Sequence, residues 1–265
     1  MELILLGIAE KHFIVQGFVD GCRNDGRGVE DFRPMWIESP ALSTTNGSAR
    51  VKIDTTDILV GVKCEVVECE DTASVPNRLQ FTVDPSLILS KQFMWKVYVD
   101  VVIQQYGGNI VDAIFIAVKA ALLDTRITVL TLVPQDEGKF NIECDESTET
   151  NYFRLEAANA PLCISVNQIG KSIAVDCTEV EEALLRTALW IVMDQPESDR
   201  TSDDQIRLRL VKQMDPGGMD PRSISGMIDM AIRVGRNLHS SVNSRLEEIR
   251  KGDGAHIPGY SFLHE

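Results

Sequence analysis

The stretch Tyr98-Val99-Asp100-Val101-Val102-Ile103-Gln104-Gln105-Tyr106-Gly107-Gly108-Asn109-Ile110-Val111-Asp112-Ala113 decides how this chain is read. Its first part belongs to a valine-rich run over 95–103, and β-branched residues at that density favour an extended, half-buried strand. Gly107-Gly108 breaks the run. Residues 110–123 are then apolar nearly all round, with Ala113, Ile114, Ala117, Val118, Ala121 and Leu122, and Lys119 is the one basic residue. An apolar segment of that length predicts a helix buried between layers. Asn109 stands where an N-cap is needed, and Asp112 three residues on completes something close to a capping box. Strand, glycine turn and buried helix in succession point to an α/β protein.

Upstream, residues 7–20 predict a first helix, with Ile8, Phe13, Ile14, Gly17 and Phe18 near helical spacing. Arg23-Asn24-Asp25-Gly26-Arg27-Gly28 is a turn-rich segment. Residues 49–67 carry strand signals on both sides of Asp54-Thr55-Thr56-Asp57, which predicts a β-hairpin, and 79–83 predict a further strand. Downstream, the acidic stretch 135–150 reads as a surface loop or edge. Residues 162–166 and 173–175 flank Gln168-Ile169-Gly170-Lys171 as a second hairpin. Thr178 and Glu181 form a capping box for a helix whose apolar face is Leu184, Leu185, Ala188, Leu189 and Val192. A strand follows over 206–211. Asp220-Pro221 then opens a last helix buried through Ile224, Met227, Ile228, Ala231, Val234, Leu238 and Val242. Met227 and Met230 at that spacing read as core rather than as a flexible binding groove. The two halves repeat strands backed by a helix, and one domain over 1–265 is expected.

The charge balance bears on function. Twenty-six basic residues against 40 acidic give −14 at pH 7, which repels RNA overall, so any RNA contact must come from a local basic patch or from basic neighbours. Six cysteines (Cys22, Cys64, Cys69, Cys144, Cys163, Cys177) lie scattered with no C-x-x-C, and the four histidines (His12, His239, His256, His264) sit apart from them. That spacing does not suit a zinc site and fits buried thiols in a reducing compartment. The apolar start is short and carries Glu2, unlike a secretory signal, and no run reaches the roughly 18 apolar residues of a membrane span. A soluble intracellular protein is expected.

No catalytic signature stands out: there is no Walker loop, no G-x-S-x-G and no H-E-x-x-H. Gly107-Gly108 ahead of a helix suits a phosphate through backbone N–H groups, but Asp112 puts negative charge in the first turn and favours a plain strand-to-helix turn. The carboxylate pairs Asp54/Asp57 and Asp203/Asp204 lie in polar turns, where aspartate is common for its own hydrogen-bonding reasons. Arg50, Lys52 and Lys63 are candidate RNA contacts on the first hairpin, with solvated strand faces as the simpler account.

Several blocks in order resemble one family. Ala9-Glu10-Lys11 and Arg23-Asn24-Asp25-Gly26-Arg27-Gly28-Val29-Glu30-Asp31-Phe32-Arg33 look like the opening helix and D-G-R-G-x-E-D-[FY]-R segment of the RNase PH-like ring subunits of the eukaryotic RNA exosome. Asn46-Gly47-Ser48-Ala49-Arg50-Val51-Lys52 with Thr56-Asp57-Ile58-Leu59-Val60-Gly61-Val62-Lys63 is similar to their first hairpin. Tyr98 to Val101, Gly107-Gly108-Asn109, Asp112-Ala113, the run Ala117 to Leu122 and Thr125-Arg126-Ile127 resemble their central strand and helix. Met219-Asp220-Pro221, Met227 and Arg233-Val234-Gly235 resemble the final helix. The resemblance implies the RNase PH-like α/β fold, with two mixed sheets and packed helices. It also implies a six-membered ring around an RNA channel, with other ring subunits and cap proteins as partners, no cofactor, and residence in nucleus, nucleolus and cytoplasm. RNA processing and degradation, including rRNA maturation and mRNA turnover, would be the work of the assembly.

Two departures qualify what it implies. Catalytic members carry Q-x-D-G-G-T-R at the central turn; here Tyr106 replaces the acidic residue and Asn109-Ile110 replace Thr-Arg. A phenol of pKa about 10 cannot act as a carboxylate at neutral pH, so a non-catalytic subunit with no catalytic, cofactor or metal residues is expected. Between Val83-Asp84 and Leu87-Ile88-Leu89 the family has a loop bearing arginine and glycine and a helix, whereas only Pro85 and Ser86 intervene here. One central helix is therefore missing. Since a parallel crossover needs a dozen or more residues, the flanking strands must pair as a tight hairpin or leave an apolar face uncovered. Two alternatives stand beside the structural subunit: an active phosphorolytic exoribonuclease, and a shortened product that fails to assemble.

Overall fold

The computed structural model describes residues 6–68, 93–134, 140–144, 151–155, 157–194, 206–214 and 217–252. The strand predicted over 79–83, the shortened segment after it and the Asp203/Asp204 pair lie outside them.

The first hairpin forms as its alternation predicts. Strand β1 (Met35–Glu38), β2 (Gly47–Ile53), β3 (Thr56–Glu68) and β4 (Phe93–Gln105) build one sheet in that order, each pair antiparallel. Ahead of it, α1 (Ile8–Val19) buries Ile14 and Phe18 but leaves Ile8 and Phe13 exposed, so its apolar face is narrower than the spacing predicted. After β4 comes the buried helix α2 (Ile110–Asp124), then β5 (Arg126–Thr128), β6 (Leu130–Pro134), β7 (Phe140–Cys144) and β8 (Tyr152–Arg154). These four make two small ribbons, β5–β8 and β6–β7, so the acidic stretch expected as a surface loop or edge contains an edge strand. The second sheet runs β10 (Ser172–Val175), β9 (Leu162–Ile169), β11 (Thr187–Asp194), β12 (Arg207–Gln213), again antiparallel throughout. Every described pairing is antiparallel, not mixed as expected.

One expectation fails outright. The capping box at Thr178 is real, with Glu181 N bonded to Thr178 Oγ1 and Thr178 N to Glu181 Oε2, but it opens only α3 (Glu179–Glu182). Ala188, Leu189 and Val192 belong to β11, a central strand buried on both faces. A strand covered on both sides reads as a continuous apolar run, which periodicity alone does not separate from a helix.

Helix α2 packs on β2 and β3 on one side and β9 on the other, which explains why it is apolar all round. The long helix α4 (Pro221–Lys251) covers β9 and β11 through Met227, Met230, Ala231, Val234, Leu238, Val242 and Leu246. Its N-cap Asp220 accepts from Arg222 N, with Pro221 at the first helical position. One continuous apolar cluster joins both sheets and both helices.

The core stops short at β4. Val99, Val101 and Ile103 lie opposite Val62, Val60 and Ile58, so the two rows share a face. The β3 row is fully buried, yet Ile103 is 50% exposed and Val99 and Val101 38% each.

Candidate functional site

The site follows from the glycine turn between β4 and α2. Gly108 has φ +89°, and a Cβ there would stand 2.5 Å from the carbonyl oxygen of Cys177, so only glycine fits. Arg33, 4% exposed, holds the turn from below: its Nη1 donates to the carbonyl of Gly107 (2.7 Å) and its Nη2 to that of Gly108 (3.0 Å). Thr56 Oγ1 also donates to the Gly108 carbonyl at 2.6 Å. The turn thus directs its carbonyls inward.

Asp176, in the loop after β10, is the hub. Its carboxylate accepts from Arg33 N (2.7 Å), Nε (3.0 Å) and Nη2 (2.8 Å), from Arg27 Nη1 (3.0 Å) and from Asn109 Nδ2 (2.9 Å). Burial alone would raise this carboxyl's pKa, but the hydrogen bonds and charge of Arg33 hold it below the ordinary carboxylate value. Arg23 makes a two-point pair with Glu181 (3.0 and 2.5 Å) and donates to the carbonyls of Val175 and Asp176. All three arginines of the Arg23-to-Arg33 motif therefore clamp the N-terminal segment onto the loop beyond β10.

Asn109 sits at the N-cap of α2 in left-handed conformation (φ +53°) and makes no capping bond. Its side chain turns to Asp176, and Asp112 is no capping-box partner either. Asp112 is fully buried and accepts from Ser165 N (3.0 Å) and Ser165 Oγ (2.7 Å) on β9. Burial pushes the Asp112 carboxyl up to about 7. The predicted box fails because both side chains find stronger partners across the layers.

At the mouth, Glu182 of α3 accepts from Asn109 N at 2.7 Å and from the Tyr106 hydroxyl. Burial, with the hydrogen bond to Glu182, raises the Tyr106 pKa above its ordinary value, so Tyr106 is a neutral donor. The backbone N–H that opens the helix, where an anion would be drawn, is taken by the chain's own carboxylate. Beside it lies a cleft of about 410 Å³ lined by Asp25, Asp54, Thr55, Tyr106, Glu179 and Glu181 among others, a wall unsuited to phosphate.

The remaining candidates do not join this site. Asp57 is bound by Arg50 through Nε (3.0 Å) and Nη2 (2.6 Å), which neutralises both; Lys52 and Lys63 are exposed on the hairpin. Cys22, Cys64, Cys163 and Cys177 are free thiols, His12 is exposed and His239 is buried against the Met193 carbonyl. No group of three or more His, Cys, Asp or Glu able to hold a metal occurs among the described residues. The sequence reading missed Asp176, Glu181 in its pairing role, and Glu182. The one available signal was three arginines in a motif that demands carboxylate partners.

Fold and turn together define the class: an RNase PH fold whose central strand-to-helix turn is closed by its own side chains. The model of the 3′ exoribonuclease family, domain 1, matches residues 70–128, which include β4, the turn and α2. In three dimensions the chain is similar to a subunit of the Archaeoglobus fulgidus exosome with RNA bound to the active site, at 20% identity and TM-score 0.67 over 87% of this chain and 96% of that one. It also matches rice (Oryza sativa) Rrp46 at 15% identity and TM-score 0.54, over 86% of this chain and 100% of that one.

In sequence it is similar to a protein of Dictyostelium discoideum named as the exosome complex exonuclease RRP42, 24% identical over 326 aligned positions that cover 91% of this chain and 98% of the relative. The exosome complex component Rrp42 of Saccharolobus islandicus is 28% identical over 221 positions, covering 69% of this chain and 78% of the relative. The alignment with the Dictyostelium protein is longer than this chain's 265 residues, so that relative carries segments without a counterpart here.

Proposed function

We propose that this chain is a non-catalytic structural subunit of an RNA exosome ring, supporting 3′-to-5′ RNA processing and degradation by the assembly. The observation that carries the reading is the closed turn. Tyr106 stands where catalytic members of the resembled family have a carboxylate, and Glu182 holds the N–H at the start of α2. Phosphorolysis needs a phosphate anion at such a place and an ionised acid–base group beside it. Here the first position is filled by a negative charge and the second by a neutral phenol. The similarity to Rrp42-named exosome components supports the ring assignment. Its partners would be other RNase PH-like subunits and cap proteins, RNA would pass through the assembled channel, and the protein would reside in nucleus, nucleolus and cytoplasm. The sequence blocks point more finely to the member called exosome complex component seven; the similarity to relatives supports an Rrp42-like position.

The test is co-expression with the other RNase PH-like ring subunits and size-exclusion chromatography, followed by a phosphorolysis assay on the isolated chain. Elution in a ring-sized complex with no phosphate-dependent RNA loss is expected. Robust activity abolished by a point change at Tyr106 overturns the reading. Elution outside the complex, while a version carrying the family's missing helix assembles, identifies a shortened product instead.

A further inference from the structure

Two arginines face each other across the β5–β8 ribbon. Arg126 and Arg154 are register partners, and Thr128 pairs with Tyr152 two residues along. Opposed residues, and residues two apart on a strand, share a face. Both guanidinium groups and the Tyr152 ring therefore stand on one side, while Ile127 between them is fully buried on the other. The Tyr152 ring centre lies 5.1 Å from the guanidinium carbon of Arg126 and 5.9 Å from that of Arg154. Like charges placed opposite each other weaken a two-stranded ribbon unless a counter-charge lies between them. Yet no described residue forms an ion pair with either arginine.

Both line a cleft of about 250 Å³ between the ribbon and the last turns of α2 and α4, and α4 adds Arg250 to its wall. Two carboxylates also line it, and each is engaged. Asp124 accepts from Ser48 N at 3.2 Å, and Glu247 pairs with Lys251 at 3.7 Å. Burial raises the Asp124 carboxyl against the pull of Arg126 and Arg154, so it is a weak counter-ion for them. Three guanidinium groups around one cleft, without an ion pair among the described residues, depart from the character of a chain with net charge −14.

We propose that this cleft binds a phosphodiester group of single-stranded RNA, with Arg126 and Arg154 on the phosphate oxygens and Tyr152 beside the adjoining base. A planar guanidinium fork matches phosphate geometry, and an aromatic ring next to the cations gives a base its stacking surface. An acidic peptide would use the charges but leave the ring without a role. The site is independent of ring assembly, so its failure and that of the ring assignment are read by different measurements.

The test is fluorescence anisotropy of the full chain with a short labelled oligouridylate, titrated with salt. Arg126→Glu combined with Arg154→Glu is expected to weaken binding about tenfold or more and to flatten the salt dependence by about 0.7 in log–log slope per lost phosphate contact. Tyr152→Ala is expected to weaken binding severalfold, whereas Lys171→Glu on the exposed β9–β10 turn leaves it unchanged. If thermal melting shows that the ribbon does not tolerate the double change, Arg250→Glu on the exposed side of α4 gives the same readout. Equal affinity in well-folded charge-reversed variants overturns the proposal, as does competition by polyglutamate matching that of unlabelled RNA.

Discussion

Replacing Asp176 by Asn tests the claim that the arginine motif is a structural clamp. The change keeps the side-chain shape but removes the charge that faces Arg33 and Arg27, and it substitutes an NH2 group for one of two oxygens that together accept five hydrogen bonds. Arg33 is 4% exposed and has no other carboxylate within ion-pair distance among the described residues. Stripping one partner from a buried pair costs about 3–5 kcal/mol, because the surviving charge stays desolvated and uncompensated. Typical domains have only about 5–15 kcal/mol in total. At a urea slope of about 2–3 kcal/mol/M, the Asp176→Asn midpoint should fall by about 1–2.5 M. Adding Arg33→Met to Asp176→Asn should cost less than the sum of the single changes, with a coupling of about 0.5–3 kcal/mol. Urea titration by circular dichroism reads both quantities. A single-variant midpoint within about 0.3 M of the parent, under about 1 kcal/mol at the same slope, would refute the clamp.

Asp112 and Asp176 give opposite pH dependences. The Asp112 carboxyl is raised to about 7 by burial, so the fold is favoured while it is protonated, and stability falls as pH rises from about 4 to 7, by at most about 1.4 kcal/mol per unit from this group. Asp112→Asn should flatten that limb in stability measured against pH. The Asp176 carboxyl is lowered, so its contribution is present above about pH 4 and lost as pH falls through its folded value; acid denaturation should shift to higher pH in Asp176→Asn. Tyr106→Asp introduces the acidic residue that catalytic members of the resembled family carry, but sets it against Glu182. It should yield no phosphate-dependent release of nucleoside diphosphates from an RNA oligomer, and chemical denaturation should show a loss of about 1–3 kcal/mol from the partly buried repulsion and the lost hydrogen bond. Gly108→Ala forces a Cβ onto the Cys177 carbonyl at positive φ, and thermal or urea unfolding should register at least about 1–3 kcal/mol.

The sequence revealed elements whose signal is local. The β2–β3 hairpin, the buried α2 and the Asp220-Pro221 start of α4 were all legible, because alternation, all-round apolarity and cap chemistry act over a few residues. β11 was not, since Ala188, Leu189 and Val192 are buried whichever face they occupy, and an authentic capping box at Thr178 suggested a longer helix. The site was legible only in its missing parts. Tyr106 in an acidic position could be seen in the chain, but its partner Glu182 lies 76 residues away. Asp176 lies 143 residues from Arg33 and looks like an ordinary turn aspartate until the fold brings the halves together. Arg50, weighed as a candidate RNA contact or a solvated strand residue, pairs with Asp57 seven residues away on the facing strand; Asp57 was weighed as a partner of Asp54 instead.

The clamp also bears on the proposed RNA contact. A basic motif in a chain proposed to serve an RNA-degrading assembly invites the assumption that its arginines meet phosphate. Arg23 and Arg33 are instead buried and paired with Glu181 and Asp176, and Arg27 shares Asp176 with Arg33. Redirecting Arg23 to RNA would strand Glu181, and redirecting Arg27 and Arg33 together would strand Asp176, at a cost larger than one phosphate contact returns. The acidic cleft beside Tyr106 is closed to the same ligand by its charge. What is left is cations that make no ion pair among the described residues and stand next to open space. Among the described residues, Arg126, Arg154 and Arg250 around their cleft meet those conditions. Charges around the turn between β4 and α2 are thus used to hold the two halves together, which leaves the cleft of Arg126 and Arg154 as the face open to the proposed contact.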